Sequence, residues 1–171
     1  MCKMMCCIYF MLCLSLFADN SSGDGFAIYM LADHNVNTTA RLKLSDFDLN
    51  KLPLEKSPLI QMKDVISYSE SEHTLFLTKE ADMRMPKAEL EYRGCIFALC
   101  VNQKPVYLGR FWEDIWSQSC PDVVLIYQRG DKQNYVGLQT GYPSPSFFVG
   151  RDPRSDQRIL KCLRDAGKLE K

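Results

Sequence analysis

The sequence predicts an α+β fold: a mostly antiparallel sheet of about five to seven strands in hairpins, with two or three helices packed on one face. Three observations lead there. Apolar runs of strand length recur between residues 26 and 139, and turn residues rather than helix-length segments join most of them. Helix signals gather in two places, after Thr78 and after Asp152. Finally, 46% of the 171 residues are hydrophobic and 25% charged, the balance of an ordinary globular chain.

The chain opens on a different signal. Lys3 is the first charge, Asp19 the next, and the residues between them are almost all apolar. A run of this length falls short of the ~20 residues of a spanning helix. A short positive start, an apolar middle and the small Ala18 describe a secretory signal peptide over residues 1–18. Residues 19–25 then read as a polar tether and residues 26–171 as a single domain. The expected location is therefore outside the cytoplasm: secreted, periplasmic or associated with the cell envelope. Contact with a membrane is expected only through the leader, if it is retained. A buried N-terminal helix, an uncleaved anchor and lipidation at Cys13 are the competing readings, although Phe10, Met11 and Leu12 match the pattern before a lipidated cysteine poorly.

Charge directs little. Lys plus Arg and Asp plus Glu number 21 each, so the basic excess that nucleic acid demands is missing and no nucleic-acid partner is expected. Of eight cysteines, Cys95, Cys100, Cys120 and Cys162 belong to the domain. Cys95 and Cys100 fall in one strand-like run, on opposite faces and about 16 Å apart, too far to bond. The other pairings stay open. No Cys-x-x-Cys spacing occurs, and no metal or cofactor is expected. A domain of roughly 150 residues holds a core without such staples.

The domain begins with the apolar run 26–32, read as a central strand. Leucines and Phe47 then recur among charged residues, and Pro53 and Pro58 break that stretch into short pieces packed over the sheet. Residues 60–66 read as a short turn or helix, and 67–78 as a hairpin bending near Glu70 and Glu72. Thr78 is a capping residue for a helix over 79–85, with Glu80 and Asp82 at its positive end and Pro86 limiting it. Residues 95–101 and 106–111 form the most secure hairpin. Residues 112–119 suggest a helical turn, and 123–127 with 135–139 another strand pair across residues 129–132. In the last helix Asp152 caps, Pro153 is the first helical residue, Ile159, Cys162, Leu163 and Ala166 form the apolar stripe, and Gly167 closes.

No catalytic pattern emerges. There is no Gly-x-Ser-x-Gly elbow; Ser144 and Ser146 lie among prolines in an extended loop. His34 and His73 read as surface histidines. Glu70, Glu72 and His73 read as a charged hairpin tip rather than metal ligands, Asp152 and Asp156 as a helix start, and no Gly-rich phosphate loop occurs. One constellation remains. Trp112, Trp116, Tyr142, Phe147 and Phe148 fall in or beside loops flanked by Arg110, Arg151 and Arg154, the residue types that anchor a protein or peptide contact. The competing reading makes these aromatics lids on the core. A small secreted hydrolase with scattered catalytic residues is the alternative to a binding domain.

Residues 59–109 resemble the first periplasmic head subdomain of the SecDF translocon family. The likeness rests on Pro58-Leu59-Ile60, Asp64-Val65-Ile66, the Thr78-x-x-Ala81 helix start, Gly94 before the apolar strand 95–101, and Val106-Tyr107-Leu108-Gly109. It covers about a third of the domain. The segment Gly141 to Phe148, with Asp152-Pro153-Arg154, is similar to uncharacterised bacterial exported proteins or lipoproteins. The resemblance implies an α+β fold and a role in binding a protein or envelope component. It brings no catalytic residues, and the family's membrane spans have no counterpart here.

Overall fold

A computed structural model of the chain describes residues 25–32, 43–85, 94–112, 116–129 and 134–170. The expected leader, most of the tether and His34 lie outside these residues. The fold is α+β with one mostly antiparallel sheet of eight strands. In chain order they are β1 (Phe26–Met30), β2 (Ile60–Gln61), β3 (Val65–Ser69), β4 (Thr74–Leu77), β5 (Ile96–Val101), β6 (Lys104–Trp112), β7 (Cys120–Arg129) and β8 (Asn134–Tyr142). Two α-helices are described, α1 (Lys79–Arg84) and α2 (Gln157–Asp165). The sheet runs β2-β1-β5-β6-β7-β8-β4-β3.

The three expected strand pairs form as β3/β4, β5/β6 and β7/β8. The sheet nevertheless exceeds the five to seven strands expected. The additional strand is β2, two residues from the stretch expected to be a turn or helix. Two residues carry no periodicity; Ile60 and Gln61 become a strand only because β1 offers them an antiparallel edge. A 3-10 turn over Met62–Asp64 follows. Its Asp64 is buried, accepts from the Gln61 amide at 3.0 Å and pairs with Arg84 of α1 at 2.6 Å.

Strand alternation divides the apolar residues between two faces. In β1, Phe26, Ile28 and Met30 face the core shared with both helices, while Ala27, Tyr29 and Leu31 face the other way. Helix α1 contributes Ala81, and Met85 follows it; α2 contributes Ile159, Leu160 and Leu163. Both helices therefore cover one face, as expected. The other face is covered by short pieces around 3-10 turns at Leu44–Asp46 and Leu49–Lys51, whose leucines and Phe47 pack on β1, β5 and β6.

Thr78 caps α1 as expected, accepting from the Ala81 amide at 3.2 Å. The start of α2 is a correction: the helix begins at Gln157, and Asp156, not Asp152, is the N-cap. Asp152 instead binds the amide and guanidinium of Arg154, closing a turn before the helix. The stripe shifts accordingly. Leu160 joins Ile159 and Leu163 inside, Cys162 is half-buried and Ala166 is exposed. Gly167, with a φ of 67°, ends the helix as expected. Its amide bonds the Arg164 carbonyl and the Lys168 amide bonds that of Leu163, the paired bonds of a glycine C-cap. The tail then runs beside β3, exchanging hydrogen bonds with Tyr68 through Lys168 and Glu170 and shielding the sheet's edge.

Candidate functional site

The sheet contains one irregular seam. Strand β6 pairs with β5 from Val101↔Lys104 to Ile96↔Arg110, but pairs with β7 only at Arg110, Phe111 and Trp112, in parallel. At the closed end of this seam, Gly109 leaves room that no side chain could share: a Cβ there would stand 2.3 Å from the Phe97 ring and 2.6 Å from the Val123 carbonyl oxygen. The Arg110 guanidinium bridges the strands, donating to Asp122 at 2.7 Å and to the Gly94 carbonyl at 3.2 Å. Toward Pro121 the ladder stops. Proline has no amide to offer, and its carbonyl accepts from Val149 at 2.9 Å.

Where the strands part lies a cleft of about 380 Å³, at the small end of the ~300–1,000 Å³ typical of ligand pockets. Val106 and Leu108 form one wall and Asp122 and Val123 the opposite one. The turns carrying Leu44 and Phe47 close one side, and a strap over residues 148–153 roofs the other. A bulge in the β5/β6 register near Cys100 helps to shape the wall: Val106 and Tyr107, though consecutive, both join the helix-side core.

The charges of the cleft are unequal. The Asp122 carboxylate is matched by Arg110, which is 2% exposed. Arg151 on the strap is exposed and forms no ion pair among the described residues. The strap is held from behind by Arg154, whose Nε and Nη2 grip Asp152 at 2.9 and 2.7 Å while Nη1 donates to the Leu138 carbonyl at 2.8 Å. These bonds from Arg154 hold the Asp152 carboxyl below its ordinary value.

The five aromatics singled out in the sequence separate into two groups. Trp112 ends β6, Tyr142 ends β8, and Trp116 lies between β6 and β7; their rings meet edge-on or tilted, with centroids 5.1 Å (Trp112–Trp116) and 5.9 Å (Trp112–Tyr142) apart. Trp112 is buried, and the group covers Cys120, Val124 and Ile126. Left-handed Gly141, with a φ of 70°, and a bulge near Cys120 accompany the turn of Tyr142 onto this face. Phe148 lines the cleft and packs on the helix-side core. Phe147 is 45% exposed beside it, and Val149, which also lines the cleft, is 77% exposed. The region expected as a helical turn is irregular over residues 116–119, and residues 113–115 lie outside those described.

His73 is not the exposed histidine expected. It is half-buried, has a left-handed φ of 52°, and its Nδ1 lies 2.8 Å from the Tyr68 hydroxyl. Burial, and next the nearby Arg154, push its imidazole below the ordinary value of 6.5. Glu70 and Glu72 are exposed at the hairpin tip, and no three His, Cys, Asp or Glu among the described residues gather as metal ligands. Ser144 and Ser146 bond each other at 2.7 Å, and the segment expected to be extended forms a 3-10 turn at Pro145–Phe147. Cys95, Cys100, Cys120 and Cys162 are free thiols, the first two on opposite faces. Burial pushes Cys100 and Cys120 up to about 11, which makes both poor nucleophiles.

Sequence reasoning found the aromatics and arginines but missed the walls of the cleft. Val106 and Leu108 read as ordinary strand residues, and the one signal available was Pro121, two residues before the expected strand 123–127. No protein-family model, curated protein or solved structure matches this chain.

Proposed function

We propose that the chain is an exported, non-enzymatic domain that binds an extended apolar segment of another protein or envelope polypeptide in the cleft between β6 and β7. The observation that carries this reading is the parting of the two strands. Residues 104–109 of β6 have β5 on one flank and no ladder partner among the described residues on the other. Extended peptides commonly bind by adding to such an edge, with main-chain bonds supplying affinity and side-chain pockets supplying selectivity. Apolar walls suit an apolar segment; Val149 adds to them from the roof, and exposed Phe147 extends that surface beyond it. Unmatched Arg151 favours a segment carrying a carboxylate. The likeness of residues 59–109 to the SecDF head subdomain supports the same role, and the leader-like residues 1–18 support export.

Selection of peptides from a displayed random library on the full chain, followed by affinity measurement, tests the reading. Phe147→Ala and Phe148→Ala are expected to weaken the selected peptides by at least about fivefold, the effect of ~1 kcal/mol at an interface. Trp112→Ala is expected to lower stability by about 3–5 kcal/mol and to leave the affinity of the folded fraction unchanged. Equal binding by the native, Phe147→Ala and Phe148→Ala proteins overturns the reading. N-terminal sequencing of the exported product tests the leader, with intact Met1 on a membrane-embedded product as the contrary result.

A further inference from the structure

Besides the Val149–Pro121 bond, the roof of the cleft is fastened to the sheet at one residue, Leu138. Leu138 of β8 donates its amide to the His73 carbonyl at 2.9 Å and accepts at its own carbonyl from Arg154 Nη1 at 2.8 Å. The backbone of His73 and the side chain of Arg154 therefore grip the same residue. The His73 imidazole holds the buried Tyr68 hydroxyl at 2.8 Å. Burial raises the phenol far above its ordinary value, so Tyr68 keeps its proton and donates it, and neutral Nδ1 accepts.

We propose that His73, Tyr68 and Arg154 form a pH-sensitive latch, in which protonation of the His73 imidazole loosens the strap over residues 148–154 and opens the cleft. Protonated Nδ1 carries a hydrogen and no longer accepts. The Tyr68 hydroxyl, 1% exposed as a residue, must then turn and forgo its acceptor. The new charge also faces the Arg154 guanidinium. The groups around His73 are Arg154 and Asp152 from the strap, Glu70 from the hairpin turn and Tyr68 from β3. The carboxylates of Asp152 and Glu70 favour the imidazolium, but burial and Arg154 outweigh them.

The direction of the effect follows by linkage. Folded His73 binds its proton less tightly than the unfolded chain does. Its contribution is therefore complete above the ordinary value of 6.5 and is lost as pH falls through the depressed folded value. The functional meaning of the latch rests on the proposed binding role of the cleft; the latch itself is measured without a partner.

The test is hydrogen exchange on the full chain between about pH 7.5 and 4.5, a range centred near the imidazole transition and corrected for intrinsic rates. The Val149 amide, bonded to Pro121, reports the strap, and the amides of the β1/β5 ladder, remote from the strap, report global opening. In the native protein, Val149 protection is expected to fall as pH drops through the imidazole transition, because the folded chain binds the His73 proton less tightly than the unfolded one, while protection along the β1/β5 ladder holds. In His73→Asn, whose side chain tolerates a left-handed backbone and does not titrate, the profile is expected to be flat. Arg154→Gln, which removes the competing cation, is expected to move the midpoint upward and serves if the Asn variant fails to fold. A pH-independent native profile, an equal fall in His73→Asn or an unmoved midpoint in Arg154→Gln overturns the latch. Retained peptide binding alongside any of these results leaves the cleft reading intact.

Discussion

The two flanks of β6 meet their neighbours in different ways. Toward β5 the pairing spans nearly the whole strand, closed by a two-residue turn in which Asn102 and Gln103 have φ of 49° and 62°. Toward β7 it lasts three residues. The first contact is local: two residues of turn bring the strands together, and their left-handed geometry matches the strand twist. The second joins parallel strands across residues 113–119, where a longer crossover is usual. Its hold comes from three devices distant in sequence: the absent Cβ of Gly109, the Arg110–Asp122 pair and the Val149–Pro121 bond. A locally encoded pairing runs to completion, and a pairing assembled from remote pieces leaves a gap.

The sharpest way to break the contrast is to remove the charge pair across the seam. Asp122→Ala leaves the Arg110 guanidinium buried without its carboxylate, and a loss of about 3–5 kcal/mol in denaturant unfolding is expected. The Gly94 carbonyl, which Arg110 also binds, keeps the loss toward the lower end.

Next in size is Gly109→Ala. The added methyl collides with the Phe97 ring and the Val123 carbonyl, so both flanks suffer at once; the expected cost is about 1–3 kcal/mol by the same measurement. Replacing Gly94 instead, where a Cβ meets nothing within 4 Å, separates this close approach from backbone strain at its φ of 68°.

A smaller effect is expected at the open side of the seam. Arg151→Gln should leave unfolding within about 0.5 kcal/mol of native, because Arg151 is exposed. It should weaken a selected carboxylate-bearing peptide several-fold more than the same peptide amidated. Equal effects on both peptides would remove Arg151 from recognition. The smallest expected effect is that of reductant: among the described residues the four cysteines form no disulfide and three of them are buried, so Tm should not move, and a drop would reveal a disulfide.

Much of this architecture was legible along the chain. The hairpins β3/β4, β5/β6 and β7/β8, the Thr78 cap and the Gly167 stop are each encoded within a few residues by alternation, turn chemistry or capping. The start of α2 was not. Asp152-Pro153 has the form of a helix start, but Arg154 pulls Asp152 into a separate turn and Asp156 takes over the cap. Strand β2 was illegible for the converse reason, being too short for any pattern. The aromatic constellation was half readable. Residue type marked Trp112 and Phe147 alike, yet neither type nor spacing says that one closes a core on Cys120 and Val124 while the other faces solvent.

The sequence by itself determined the α+β class, the local hairpins and the alternation that gives the sheet two apolar faces, because those depend on interactions a few residues apart. Only the tertiary structure decided which strands became neighbours, where β6 and β7 part, and that His73, Tyr68, Leu138 and Arg154 converge. These contacts join positions up to 86 residues apart, from Tyr68 to Arg154. Nothing in the local pattern at either end specifies such an encounter; it is selected by the packing of the whole sheet, where shape, burial and hydrogen bonding must be satisfied together.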